Sequence, residues 1–209
     1  MFKVKTDYPI AYESPDHTNP HGTKNDNSKN RSFVNLMNQL YLDAKIIDIG
    51  CAGGGMIEDF VNNGNLAIGL EGSDYSQKLK RAAWETIPNN LFTCDASKPF
   101  EITYEDKPFL ANVISMWEVL EHFTDETIDQ VLQNVINHLE VGGLLIGSIS
   151  TSKEGNEPWH NCVHPAEWWE EKLASFNFEF RSSIKDRMDR NDAWVRFPGG
   201  HYACHQRIK

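Results

Sequence analysis

Residues 45–60 read KIIDIGCAGGGMIEDF. A short apolar run ends in Asp48, a cluster of small residues follows, and a helical pattern begins after it. A buried strand that turns through glycines into a helix opens a parallel α/β sheet. In such sheets ligands bind beyond the carboxyl ends of the strands. Glycines there let the backbone approach a ligand closely, and the helix N-terminus adds donors and a positive dipole. Gly50, Ala52 and Gly55 fit the dinucleotide spacing G-x-[G/A]-x-x-G, a weak match when it stands alone. No Gly-Lys-Ser/Thr follows, which excludes a P-loop. The stretch therefore fixes the kind of fold and leaves the nucleotide open.

Outward from this stretch, strand and helix patterns alternate. LAIGLEG (66–72) is expected as a second strand, residues 76–87 as a helix, NLFTCDA (90–96) as a third strand and ANVISMW (111–117) as a fourth. Ile128, Val131, Leu132, Val135, Ile136 and Leu139 share one helical face, with Thr124 or Asp125 to open the helix and Gly142 to close it. GLLIGSIS (143–150) is a fifth strand and PAEWWEEKLASF (165–176) a helix with Pro165 in its first turn. FEFRSSIK and YACHQRIK read as two antiparallel strands joined by the polar loop 186–200. Before the glycine stretch, Phe33, Leu36, Met37 and Leu40 mark a helix over 32–42, capped by Asn30 or Ser32. The expectation is an α/β, Rossmann-like three-layer sandwich. Its mostly parallel seven-stranded sheet ends in an antiparallel C-terminal hairpin.

Composition narrows the classes. The chain has 209 residues, 40% hydrophobic and 24% charged, as expected of one soluble domain. A net charge of -10 argues against a non-specific nucleic-acid binder. No apolar run nears the roughly 20 residues that span a bilayer. MFKVKTDYPI lacks a signal-peptide pattern. The four cysteines are widely spread, which reads most simply as reduced thiols in a cytoplasmic protein. Residues 1–30 are polar and irregular, with no helix or strand expected, and residues 31–209 form a single domain. The first segment is either a loosely ordered tail or a lid. Asp16, His17, His21, Asn25, Asp26, Asn27, Asn30 and Arg31 supply more hydrogen-bonding groups than a linker needs.

Acids at the strand ends bear on the ligand. Glu71 ends the second strand, where a carboxylate can accept from both ribose hydroxyls, although dinucleotide folds place an acid there too. Asp95 ends the third strand at the height of an adenine edge, and reads equally as a turn cap. The fourth strand runs into SMWEVLEHF (115–123). The ordered set DIGCAGGG, LEGS, CDAS and MWEVLEHF resembles the class I S-adenosylmethionine-dependent methyltransferases. EVLEH is similar to the motif of their small-molecule branch. The likeness covers residues 45–209, with Ala52 in place of the family's middle glycine.

That resemblance implies a set of roles. Asp48 and the Gly50, Cys51, Ala52 and Gly54 backbone would hold the methionine moiety, and Glu71 the ribose. Gly72 and Ser73 would lie beside the ribose and adenine, Asp95 and Ala96 at the adenine edge, and Met116 and Trp117 under the cofactor. S-adenosylmethionine is net cationic, so an acidic pocket suits it.

A hydroxyl acceptor must also lose a proton, and histidine is the default base. His122 follows the fourth strand, with Glu118 and Glu121 able to orient it. His160 and His164 follow the fifth strand. Each histidine also reads as a packing residue. H-x-C-x-H (160–164), with His201, Cys204 and His205, matches no standard zinc spacing, so no metal site is expected. Trp117, Trp159 and Trp194 fall near the expected site and Trp168 and Trp169 in a helix. The leading expectation is O-methylation of a sugar or similar small polar metabolite, with no nucleic-acid or membrane partner. The alternatives are an NAD-dependent oxidoreductase and a cofactor-binding module without turnover.

Overall fold

The computed structural model describes residues 1–11, 21–151, 159–195 and 200–209, without the side chains of residues 21 and 22. Its main sheet uses β2 (Lys45–Ile49), β3 (Leu66–Glu71), β4 (Leu91–Thr93), β7 (Ala111–Trp117), β8 (Leu139–Ile149), β9 (Phe178–Phe180) and β10 (His201–Arg207). Their order is β4-β3-β2-β7-β8-β10-β9. The first five pair in parallel, and β10 pairs antiparallel with both β8 and β9. Strand order reverses between β2 and β7, so the crevice above that pair is where a ligand belongs.

Two apolar layers cover the sheet. On one face, α2 (Arg31–Leu40), α3 (Gly55–Asn62), α5 (Ala83–Thr86) and α8 (Ser182–Arg190) bury Phe33, Met37, Phe60, Trp84 and Met188. On the other, α6 (Ile128–His138) and α7 (Ala166–Ser175) bury Ile128, Leu132, Trp169 and Leu173. β2 serves both layers because side chains alternate along a strand: Ile46 joins the first and Ile47 the second. Each such buried side chain stabilises the fold by roughly 1.5–3 kcal/mol. Asn30 caps α2 through an acceptor bond from the Phe33 amide, 2.9 Å long.

Several expectations need correction. The segment 1–30 contains a strand, β1 (Phe2–Lys5), and a short helix, α1 (His21–Asn25). β1 pairs antiparallel with β5 (Glu101–Tyr104), which also pairs with β6 (Lys107–Pro108), forming a small second sheet. Phe2 anchors it by packing on Tyr104 and Phe109. Asp16 and His17, named for the arm, lie outside the described residues. The helix expected over 76–87 is broken into α4 (Tyr75–Lys78) and α5, because Lys80 and Ala82 take positive φ of 48° and 51°. Arg81 between them turns toward the arm and donates to the carbonyls of Thr23 and Asp26.

Gly142 does not end α6. That helix stops at His138, whose ring bonds the Asn134 carbonyl and stacks on Phe100, and Leu139 already belongs to β8. Gly142 sits inside β8 at φ 88°. The expected strand FEFRSSIK is cut short at Phe180, and α8 takes its second half and the start of the expected loop, so the two last strands are antiparallel neighbours joined through a helix. Periodicity could not reveal α8: of its nine residues only Ile184 and Met188 are apolar.

Candidate active site

A cavity of about 750 Å³ opens at the carboxyl ends of β2, β3, β4 and β7. Its first wall is the glycine loop. Gly50 adopts φ 81°, and a Cβ there would stand 2.3 Å from Val119, so only glycine lets the two loops meet. The amides of Gly50 and Cys51 both donate to the Leu70 carbonyl, at 2.8 and 3.1 Å. Ala52 takes φ 45°, a left-handed backbone that costs an alanine about 1 kcal/mol. Two bonds hold it there: its amide donates to Glu71 Oε2 at 2.7 Å, and its carbonyl accepts from Trp84 Nε1 at 2.8 Å. Gly54, at φ 78°, shapes the loop without lining the cavity.

The acids converge on this wall. Glu71 is buried, and its other oxygen accepts from the Ser73 amide at 3.0 Å and from Thr23 Oγ1 at 3.4 Å. Asp48 accepts from Ser115 Oγ at 2.6 Å, where β2 and β7 pair those residues. Burial pushes its carboxyl up to about 7, and the charges of Asp26 and Glu71 add to the rise. Asp95 lines the cavity and also caps its own turn, accepting from the Ser97 amide and hydroxyl at 2.9 and 2.6 Å. The turn-cap reading of that residue is therefore realised, in a residue that also lines the cavity.

The arm closes one side. The Ala11 amide donates to the Gly72 carbonyl at 3.0 Å, and the Asp95 amide to the Tyr8 carbonyl at 2.9 Å. Thr23, Asn25, Asp26 and Ser28 face the cavity. Thr23 and Ser28 were not singled out in the sequence.

The far wall comes from the segment after β7 and the loop after β8. Trp117 is wedged edge-on against Phe33 and Trp194, with centroids 5.3 and 6.3 Å away. Glu118 turns the chain at φ 52°, and a 3₁₀ turn, Leu120–His122, follows. The Asn161 and Cys162 amides fasten the second loop by donating to the Glu121 carbonyl at 2.8 and 3.0 Å. This brings the His122 and His160 rings edge to face, 4.9 Å apart. One ligand atom from each of Glu121, His122 and His160 lies within 4.8 Å of the others. Asp125, Cys162 and His164 form a second such group.

Of the cofactor residues expected, Asp48, Gly50, Cys51, Ala52, Glu71, Gly72, Asp95, Ala96 and Trp117 line the cavity. Ser73, Gly54 and Met116 do not: Ser73 supports Glu71 and Met116 points into the core, one strand position from Trp117. Of the three candidate bases, His122 and His160 face the cavity. His164 turns away to bond Asp125 at 2.7 Å and stack on Trp168 at 3.9 Å. Trp159 and Asn161 complete this wall. His201 and His205 both reach Glu170, at 3.1 and 2.9 Å, away from this cavity; His201 and Glu170 line a separate pocket, and His205 is buried behind it. All four cysteines are free and buried. No helix among the described residues is long and apolar enough to cross a membrane.

Solved structures share this architecture. A Burkholderia thailandensis 1,6-didemethyltoxoflavin-N1-methyltransferase, solved with 1,6-didemethyltoxoflavin and S-adenosylhomocysteine, is similar with TM-score 0.61. It is 13% identical, over 93% of this chain and 84% of that one. An O-methyltransferase of neocarzinostatin biosynthesis, in complex with S-adenosylmethionine and 2-hydroxy-5-methyl naphthoic acid, is similar with TM-score 0.53. There the identity is 12%, over 84% of this chain and 50% of that one. A mitomycin 7-O-methyltransferase gives TM-score 0.53 and 12% identity, over 83% of this chain and 53% of that one. The chain thus spans about half the length of several structures it matches. No curated protein matches it significantly. The model of the methyltransferase domain matches residues 23–196, most of the chain including both walls of the cavity, and the chain belongs to that family.

Proposed function

We propose that the chain transfers a methyl group from S-adenosylmethionine to a small polar acceptor, at oxygen, with a sugar or similar metabolite as the leading class. The observation that carries the cofactor is the charge of the cavity. Asp26 and Glu71 lie close enough to raise the cost of ionising Asp48, and no lysine or arginine lines the cavity among the described residues. A pyrophosphate would be repelled there, whereas a ligand carrying an ammonium and a sulfonium is attracted. Asp48 would take the ammonium, Glu71 the ribose hydroxyls, and Asp95 and Ala96 the adenine edge. When bound, that cofactor supplies an activated methyl on a good leaving group.

The chain supplies position. Trp117 and the fastened Glu121–Asn161 contact would hold the acceptor in line, which alone can lower a barrier by several kcal/mol. His122 and His160 sit where an acceptor's proton must leave. The arm, tied down through Tyr8, Ala11 and Arg81, would act as the lid that excludes water. An acceptor with hydroxyl groups between aromatic walls fits the O-methyl reading. Incubation with S-adenosylmethionine and a panel of hydroxylated metabolites, read by mass, is expected to give products heavier by one methyl group. Tight cofactor binding with no methylated product across hydroxyl, amine and carbon acceptors would leave a binding module instead.

A further inference from the structure

We propose that Glu121, His122 and His160 bind a divalent transition-metal ion at the far wall of the cavity, where it takes the acceptor hydroxyl as a further ligand. This rests on the methyl-transfer reading for its role, though not for its existence. One ligand atom from each residue already lies within 4.8 Å of the other two. Atoms held at about 2.0–2.2 Å from one ion stand roughly 3–4 Å apart, so a closure on the order of 1 Å completes the site.

Glu121 gives the independent reason. Its side chain is fully buried, and neither carboxylate oxygen has a hydrogen-bond partner at normal geometry. A lone buried carboxylate costs several kcal/mol unless a cation compensates it. Among the described residues no Lys or Arg reaches it. A metal ion held jointly with two imidazoles would.

The ligand set selects the ion. Two ring nitrogens and one carboxylate oxygen favour Mn²⁺, Fe²⁺ or Zn²⁺ over Ca²⁺ or Mg²⁺. Three protein ligands leave positions open, and His122 and His160 face the cavity, so those positions point at the acceptor. A Lewis acid there lowers the pKa of the acceptor hydroxyl. The hydroxyl proton passes to water, and the oxygen lone pair forms the new C–O bond. The methyl carbon's bond to sulfur breaks with its electron pair staying on sulfur, leaving a neutral thioether. Sequence spacing hid this trio: Glu121 and His122 follow β7, while His160 is delivered by the next loop. The adjacent H-x-C-x-H run misdirects, because His164 points to Asp125.

The test is a Mn²⁺ titration of the chelator-stripped full chain, followed by electron paramagnetic resonance. One saturable site per chain is expected, with nitrogen hyperfine coupling from histidine. Glu121→Gln and, independently, His160→Ala are each expected to weaken Mn²⁺ binding at least about 10-fold, because loss of a ligand should match or exceed the effect of losing its outer-shell support. His164→Ala should leave it unchanged. No saturable site, binding indifferent to both ligand variants, or binding lost in His164→Ala would overturn the proposal. Calorimetry with S-adenosylmethionine on the same samples separates the two claims. Cofactor binding without Mn²⁺ binding overturns only the metal, and absent cofactor binding overturns the methyl-transfer reading whatever the metal does.

Discussion

The two walls of the cavity are built in opposite ways. The glycine-loop wall is local: β2, its loop and the end of β3 supply Asp48, the Gly50–Ala52 turn and Glu71, and backbone bonds tie them directly together. The far wall is assembled from segments distant in sequence, joined by the Asn161 and Cys162 amides on the Glu121 carbonyl and by ring packing around Trp117. The first wall holds buried carboxylates suited to a cation. The second holds imidazoles suited to the chemistry of an acceptor. Cofactor binding and turnover should therefore fail separately when each wall is damaged.

The largest effect belongs to the far wall. His122→Ala is expected to lower turnover by about 10²–10⁴-fold, whether the ring takes the acceptor proton itself or holds the ion that acidifies it, with cofactor affinity within about threefold. Equal losses in both would erase the division between the walls. Next comes Asp48. Its carboxyl is raised to about 7 by burial, so between its ordinary value of 3.8 and 7 the folded state binds more protons than the unfolded one. Stability of the cofactor-free protein should then fall as pH rises through that window and level off above it. At 1.36 kcal/mol per unit the fall is at most roughly 4 kcal/mol. Asp48→Asn should flatten that slope in urea melts at a series of pH values. An unchanged slope would place the titrating group elsewhere.

Glu71→Ala should weaken cofactor affinity about 10–100-fold, since hydrogen bonds to a charged group are worth about 1.5–3 kcal/mol, and leave metal binding alone. The smallest effect is Ala52→Gly. Relief of the left-handed backbone and the greater freedom of unfolded glycine nearly cancel, so stability should move by less than about 1 kcal/mol. A larger loss would mean that the Ala52 side chain packs more tightly than its backbone suggests.

The same contrast explains what the sequence made legible. The glycine wall was readable because its residues are close in sequence and each strand end announces itself. Even there, Met116 was misassigned, since strand alternation sends it into the core while Trp117 faces the cavity. On the far wall residue type identified His122 and His160 but could not exclude His164, whose direction depends on Asp125 and Trp168. Thr23 and Ser28 reach the cavity through an arm held by Arg81, a link that no periodicity encodes. α8 escaped because its burial rests on Ile184 and Met188 alone among polar residues.

The central claim is that the glycine wall holds a cationic methyl donor rather than a dinucleotide. Calorimetry of the full chain against S-adenosylmethionine and, separately, NAD tests it most directly. One site per chain for S-adenosylmethionine, weakened in Glu71→Ala, with no heat from NAD, is the expected result. Saturable NAD binding with no response to S-adenosylmethionine would contradict the account.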